Sequence, residues 1–135
     1  MRPNQALSAT NPSGAGTLDG TWRLDAIVCN GTAFAMGPAV TTLTILRATG
    51  SISNQMCTVP LTLVYPAASQ VNWTMGVGTC TPESGLNASQ MVGKVDDMTY
   101  AVAGSTLTLT EALTSPNDWV CSAGDRKVST WTLSR

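Results

Sequence analysis

The sequence predicts an all-β fold in which eight antiparallel strands close into an up-and-down barrel, and three observations lead there. Apolar residues recur at every second position in eight separate segments, the period of a strand with one buried face. Turn formers such as Gly50, Pro66 and Gly104 separate those segments. Closing consecutive strands into a barrel also removes the edges that an open sheet would have to protect.

Residues 1–17 mix Pro3, Pro12, Gly14 and Gly16 with Asn, Ser and Thr and show no periodicity, which predicts a flexible tail ahead of one domain over 18–135. The first strand runs from Leu18 to Cys29, with Trp22, Leu24, Ala26 and Val28 on one face and Arg23 and Asp25 on the other. Gly20 admits the chain from a tight turn and leaves Trp22 to anchor one end of the core. Thr42 to Arg47 alternates next, up to a turn at Thr49 and Gly50, and Ile52 to Cys57 makes a third strand of weaker pattern. A Thr58-Val59 link leads to Pro60, which opens a fourth strand through Tyr65. Val71, Trp73, Met75 and Val77 form one face of the fifth.

Between Gly78 and Val95 the pattern breaks, and Pro82, Glu83, Leu86, Gln90 and Met91 predict at most a short helix near 83–92. Met98, Tyr100 and Val102 then alternate into Ala103-Gly104-Ser105, and Leu107 and Leu109 follow, which is the clearest hairpin in the chain. A loop from Thr114 to Asp125 precedes the last strand, Val128 to Leu133, with Trp131 and Leu133 on one face. Short connections then lie at one end of the barrel and longer ones at the other, an open rim.

Composition narrows the function. A chain of 135 residues with 11% charged residues and net charge -1 offers no basic stripe for nucleic acid. One domain of this length buries roughly two thirds of its unfolded surface, so a monomer is expected. No apolar run approaches the ~20 residues of a membrane span, and the opening Met-Arg-Pro-Asn-Gln lacks the apolar core of a signal peptide, so a mature or trimmed form is expected. Cys29, Cys57, Cys80 and Cys121 lie far apart with no histidine in the chain, which favours two disulfides over a zinc site and an extracytoplasmic location. All four follow odd-numbered strands and therefore map to the open rim.

Catalysis finds little support, and no cofactor is implied. Without histidine a serine or cysteine nucleophile lacks its usual base. Asp96 and Asp97 are neighbours on a strand and point to opposite faces, so they read as a solvated strand end. Glu83, Asp118 and Asp125 have no calcium-loop spacing, so no metal is expected.

The opening Leu-Asp-Gly-Thr-Trp-Arg-Leu resembles the Gly-x-Trp entry of lipocalin-type (calycin) barrels. That resemblance implies that Trp22 closes the tight end and that Arg135, ending Trp-Thr-Leu-Ser-Arg, stacks near it. The strand from Gly50 to Cys57, the run Gly78-Thr-Cys80-Thr-Pro and the hairpin from Tyr100 to Thr110 are also similar to the META-domain family of small bacterial envelope proteins. Adjacency of the first and eighth strands favours pairing Cys29 with Cys121, leaving Cys57 with Cys80, positions at which META-like proteins also carry cysteines. Pairing in sequence order remains the alternative.

The inward row comprises Trp22, Leu24, Leu43, Ile45, Leu61, Leu63, Trp73, Met75, Met98, Tyr100, Leu107, Leu109, Trp131 and Leu133, all uncharged. An eight-stranded barrel is either filled by such side chains or holds one small ligand. The binding reading is a secreted or envelope barrel for a small apolar compound, lined by Trp73, Met75, Met98, Tyr100, Trp131, Leu43, Leu63 and Leu109, with the Tyr100 hydroxyl orienting the guest. Two alternatives stand beside it. One is a protein-binding module such as a protease inhibitor, using the tail or Trp119 as an interface anchor. The other is an envelope-stability protein of META type with a filled core.

Overall fold

The computed structural model describes residues 18–35, 40–82, 92–113 and 120–134. The expected tail at 1–17, all of the expected helix except Val92, Trp119 and Arg135 lie outside the described residues. Ten strands follow in chain order: β1 Gly20–Cys29, β2 Thr32–Ala33, β3 Thr42–Leu46, β4 Thr49–Ser53, β5 Cys57–Val64, β6 Gln70–Met75, β7 Thr79–Cys80, β8 Val95–Ala103, β9 Thr106–Ala112 and β10 Arg126–Leu133. Eight of them pair antiparallel in the order β1, β3, β4, β5, β6, β8, β9, β10, and β10 returns to β1 to close the barrel. The two-residue strands β2 and β7 add short pairings to β1 and β5 at the open end.

The predicted entry holds in detail. Gly20 has φ +140°, and a Cβ there would stand 2.8 Å from Leu133 Cδ1, so only glycine fits without a shift. Trp22 is 1% exposed and its indole N–H donates to the Leu18 carbonyl at 3.0 Å, which satisfies the one polar atom of the largest side chain in the floor. Gly104, at φ +61°, sits with Ser105 between the paired Ala103 and Thr106 and turns the β8–β9 hairpin.

Five local expectations are corrected. The turn expected at Thr49 and Gly50 falls instead at Arg47 and Ala48, because Leu46 pairs with Thr49 and the Asp19 carboxylate accepts from the Arg47 N–H at 2.7 Å, holding Arg47 at φ +58°. The third strand ends at Ser53, not Cys57. Asn54 Oδ1 accepts from the Met56 and Cys57 N–H groups at 2.8 and 2.7 Å, reversing the chain so that Cys57 opens the next strand. Pro60 is therefore interior to β5, where its carbonyl accepts from Gly76 N–H at the break between β6 and β7, a place where a missing donor interrupts no ladder. The chain leaves the sheet at Gly76, so Val77 is 73% exposed rather than part of the inner face.

The fifth correction changes which residues of β1 face inward. Trp131 pairs with Leu24 but Thr130 pairs with Ala26, leaving Asp25 as the extra residue of a bulge. The Thr132 hydroxyl bonds the Asp25 carboxylate outside the barrel, and Arg23 lies 3.7 Å from the same group. Two consecutive residues, Asp25 and Ala26, thus face solvent, and beyond them Ile27 rather than Ala26 and Val28 is buried.

Below the rim the barrel is solid. Leu18, Trp22, Leu43, Ile45, Leu61, Leu63, Tyr65, Val71, Tyr100 and Leu107 are buried in one cluster. Tyr65 and Tyr100 meet edge to face at 6.5 Å, and the Tyr65 hydroxyl donates to the Arg47 carbonyl at 3.0 Å. Burial chiefly, with the Asp19 charge beside it, pushes the Tyr65 phenol up to about 12.

Candidate functional site: a half-open cavity with a charged wall

Toward the rim the same cluster continues through Trp73, Met98, Leu109 and Trp131. They leave a cavity of about 310 Å³ toward the open end, within the range in which proteins hold small molecules. It is lined by Trp73, Met75, Met98, Leu109 and Trp131 together with Leu24, Ile27, Ile52, Val59 and the half-exposed Phe34. A second small buried group, Ile27, Leu113 and Cys121, packs at the rim with Leu24, Cys29 and Val120.

The pairing favoured by strand adjacency and the pair it leaves are both present. Cys29 bonds Cys121 with Cα atoms 5.5 Å apart, and Cys57 bonds Cys80 between directly paired residues of β5 and β7. The bulge at Asp25 contributes to the first bond, because it returns Cys29 to the side on which Ile27 and Cys121 pack. Asp125 lies beside this pair, but oxidised sulfurs offer no thiolate to a metal.

The inward row is not free of charge, contrary to the expectation from its apolar members. Asp96 is 4% exposed, not a solvated strand end, while its neighbour Asp97 is exposed on the opposite face. Asp96 stands across from Trp73 in the β6–β8 register, and the Trp73 indole N–H donates to Asp96 Oδ2 at 2.7 Å. Lys94, held to β6 by its carbonyl bond from Met75 N–H at 2.9 Å, pairs with Asp96 Oδ1. Glu111 pairs in register with Met98 on one side and Lys127 on the other.

Together Lys94, just ahead of β8, Asp96 on β8, Glu111 on β9 and Lys127 on β10 form one charged wall. Burial, then the hydrogen bond and the charge of Asp96, push the Glu111 carboxyl up to about 8, against the opposing pull of Lys94 and Lys127. The shift favours the protonated form of Glu111 beside the Asp96 carboxylate. The Trp131 indole N–H donates to Ser129 Oγ at 2.9 Å, so both tryptophans of the cavity have their polar atoms engaged by protein.

Of the residues expected to touch a ligand, the cavity gathers Trp73, Met75, Met98, Leu109 and Trp131. Leu43, Leu63 and Tyr100 belong to the packed floor and do not line it. The Tyr100 phenol, raised chiefly by burial, lies outside the lining. The charged residues were missed because the inward row was ended at its last apolar member. Continuing the same parity from Met98 reaches Asp96, from Leu109 reaches Glu111, and from Trp131 through Ser129 reaches Lys127.

No family model matches the chain, and no curated protein or solved structure matches it significantly. The eight-stranded barrel is consistent with lipocalin-like architecture.

Proposed function

We propose that this protein is a non-enzymatic binding barrel of an oxidising, extracytoplasmic compartment that holds one small and largely apolar molecule in its half-open interior. The cavity beside Trp73 and Trp131 carries this reading, because the lower half of the same barrel is densely filled and natural interiors rarely leave such a volume open. Polarisable Met75 and Met98 adapt to a guest's shape, and engaged indole N–H groups leave the ring faces to meet it. Two disulfides support an oxidising location. A filled-core stability role of META type fits an open interior less well, and the tail on which a protease-inhibitor role depends lies outside the described residues.

The test is titration with the neutral probe N-phenyl-1-naphthylamine, whose emission rises in apolar surroundings. Saturable binding at one site per chain is expected, reduced at least about tenfold by Met75→Trp, a change that occupies the cavity from a partly buried position. Absence of saturable binding by the folded wild-type chain refutes the proposal.

A further inference from the structure

Resting on that binding reading, we infer that the natural guest carries a carbonyl-type oxygen on its apolar body, and that Ser129 receives this oxygen by donating its hydroxyl proton beside Trp131. Two polar side chains on the cavity lining are almost fully buried, Asp96 at 4% exposed and Ser129 at 6%. Buried polar groups are as a rule fully hydrogen-bonded, so one that is not points to a partner the protein itself does not supply.

Asp96 has no such need, since Lys94 pairs with its Oδ1 and the Trp73 indole N–H donates to its Oδ2 at 2.7 Å. Ser129 is only half satisfied. Its Oγ accepts from the Trp131 indole N–H at 2.9 Å, while its own proton finds no acceptor among the described residues. An indole N–H only donates, so Trp131 cannot take that proton in return.

The surroundings choose the partner. Ser129 pairs in register with Leu109 on one side and Ile27 on the other, and all three line the cavity together with Trp131, two places further along β10. A water placed there would meet one hydroxyl and the apolar faces of Leu109, Ile27 and Trp131, short of the roughly two to four polar partners that hold a buried water. A carbonyl oxygen on an apolar body has no such shortfall, because it brings only acceptor capacity and its body covers those faces. An alcohol would bring a second proton to the same apolar groups, and a carboxylate would lose its hydration among them. Lys127, two places the other way on β10, has a partner of its own.

Displacement of N-phenyl-1-naphthylamine from the full chain by 2-acetylnaphthalene and by its hydrocarbon isostere 2-isopropenylnaphthalene tests this, together with the infrared carbonyl band of the bound ketone. In the wild type that band is expected below its position in hexane, because a hydrogen bond weakens the C=O bond. Ser129→Ala alone would leave the Trp131 N–H free to replace the hydroxyl, so the deciding comparison is Trp131→Phe against Trp131→Phe combined with Ser129→Ala. Between these two the ratio of ketone to hydrocarbon affinity falls about five- to tenfold, and the band moves back toward its hexane position. A ketone that does not displace the probe, a wild-type band at the hexane position, or a ratio and band unchanged by loss of Ser129 overturns the inference while hydrocarbon and probe binding stay intact. The wild-type band needs no variant, so it decides the matter even where Trp131→Phe does not fold. Failure of the folded wild type to bind either naphthalene or the neutral probe instead overturns the binding reading itself.

Discussion

Trp73 and Asp96 stand directly across the β6–β8 ladder from each other, and the indole N–H of the first donates to the buried carboxylate of the second at 2.7 Å. This bond joins the apolar wall of the cavity to the charged one. Hydrogen bonds to charged groups contribute about 1.5–3 kcal/mol, more than neutral ones. A double-mutant cycle of Trp73→Phe and Asp96→Asn, followed by urea unfolding, is expected to give a coupling energy in that range. Coupling below about 0.5 kcal/mol would mean that packing alone orients the ring.

Glu111 makes stability depend on pH in an unusual direction for a carboxyl group. Its folded value of about 8 lies above the ordinary 4.5, so the folded chain holds a proton that the unfolded chain releases. The stabilisation it contributes is full below about pH 4.5 and is lost as pH rises through about 8. Melting temperature should therefore fall more steeply between pH 5 and pH 9 in the wild type than in Glu111→Gln, which stays neutral throughout. Parallel melting curves across that interval would contradict the assignment.

The two disulfides close loops of different length, 92 residues for Cys29–Cys121 and 23 for Cys57–Cys80. On the chain-entropy account the longer loop contributes about 4–5 kcal/mol and the shorter about 3–4 kcal/mol. Cys29→Ala with Cys121→Ala should accordingly lower the urea midpoint more than Cys57→Ala with Cys80→Ala. The reverse order would place the effect in native contacts at the rim instead of in the unfolded chain.

The barrel was legible because alternation and turn formers recur together, and Cys29–Cys121 because the first and last strands are adjacent, which left Cys57 for Cys80. What stayed hidden depends on side chains acting at a distance in sequence. Asp19 caps the turn at Arg47, some twenty-eight residues away, and no local pattern distinguishes that from a turn at Gly50. Asn54 was a local signal, an acceptor for the two N–H groups that follow it, but the weak alternation from Ile52 to Cys57 masked it. The charged wall was concealed for another reason. Composition treats Asp96, Glu111 and Lys127 as surface residues, and only the parity of their strands, carried past the last apolar member, turns them inward.

The bulge in β1 gives the sharpest contrast between simple alternation and the structure. Unbroken period 2 from Trp22 would bury Ala26 and expose Ile27, whereas the extra residue at Asp25 leaves Ala26 exposed and Ile27 only 7% exposed. Ile27 contacts both the cavity and the cluster around Cys121, so truncating it removes buried area and undermines the rim. Ile27→Ala should cost about 2–4 kcal/mol, the usual range for a large aliphatic side chain lost from a core. Ala26→Lys, directed to solvent, should stay within about 0.5 kcal/mol of the wild type. Urea unfolding of the two variants decides the matter, because an intolerant Ala26 and a tolerant Ile27 would restore continuous alternation and turn Cys29 away from Cys121.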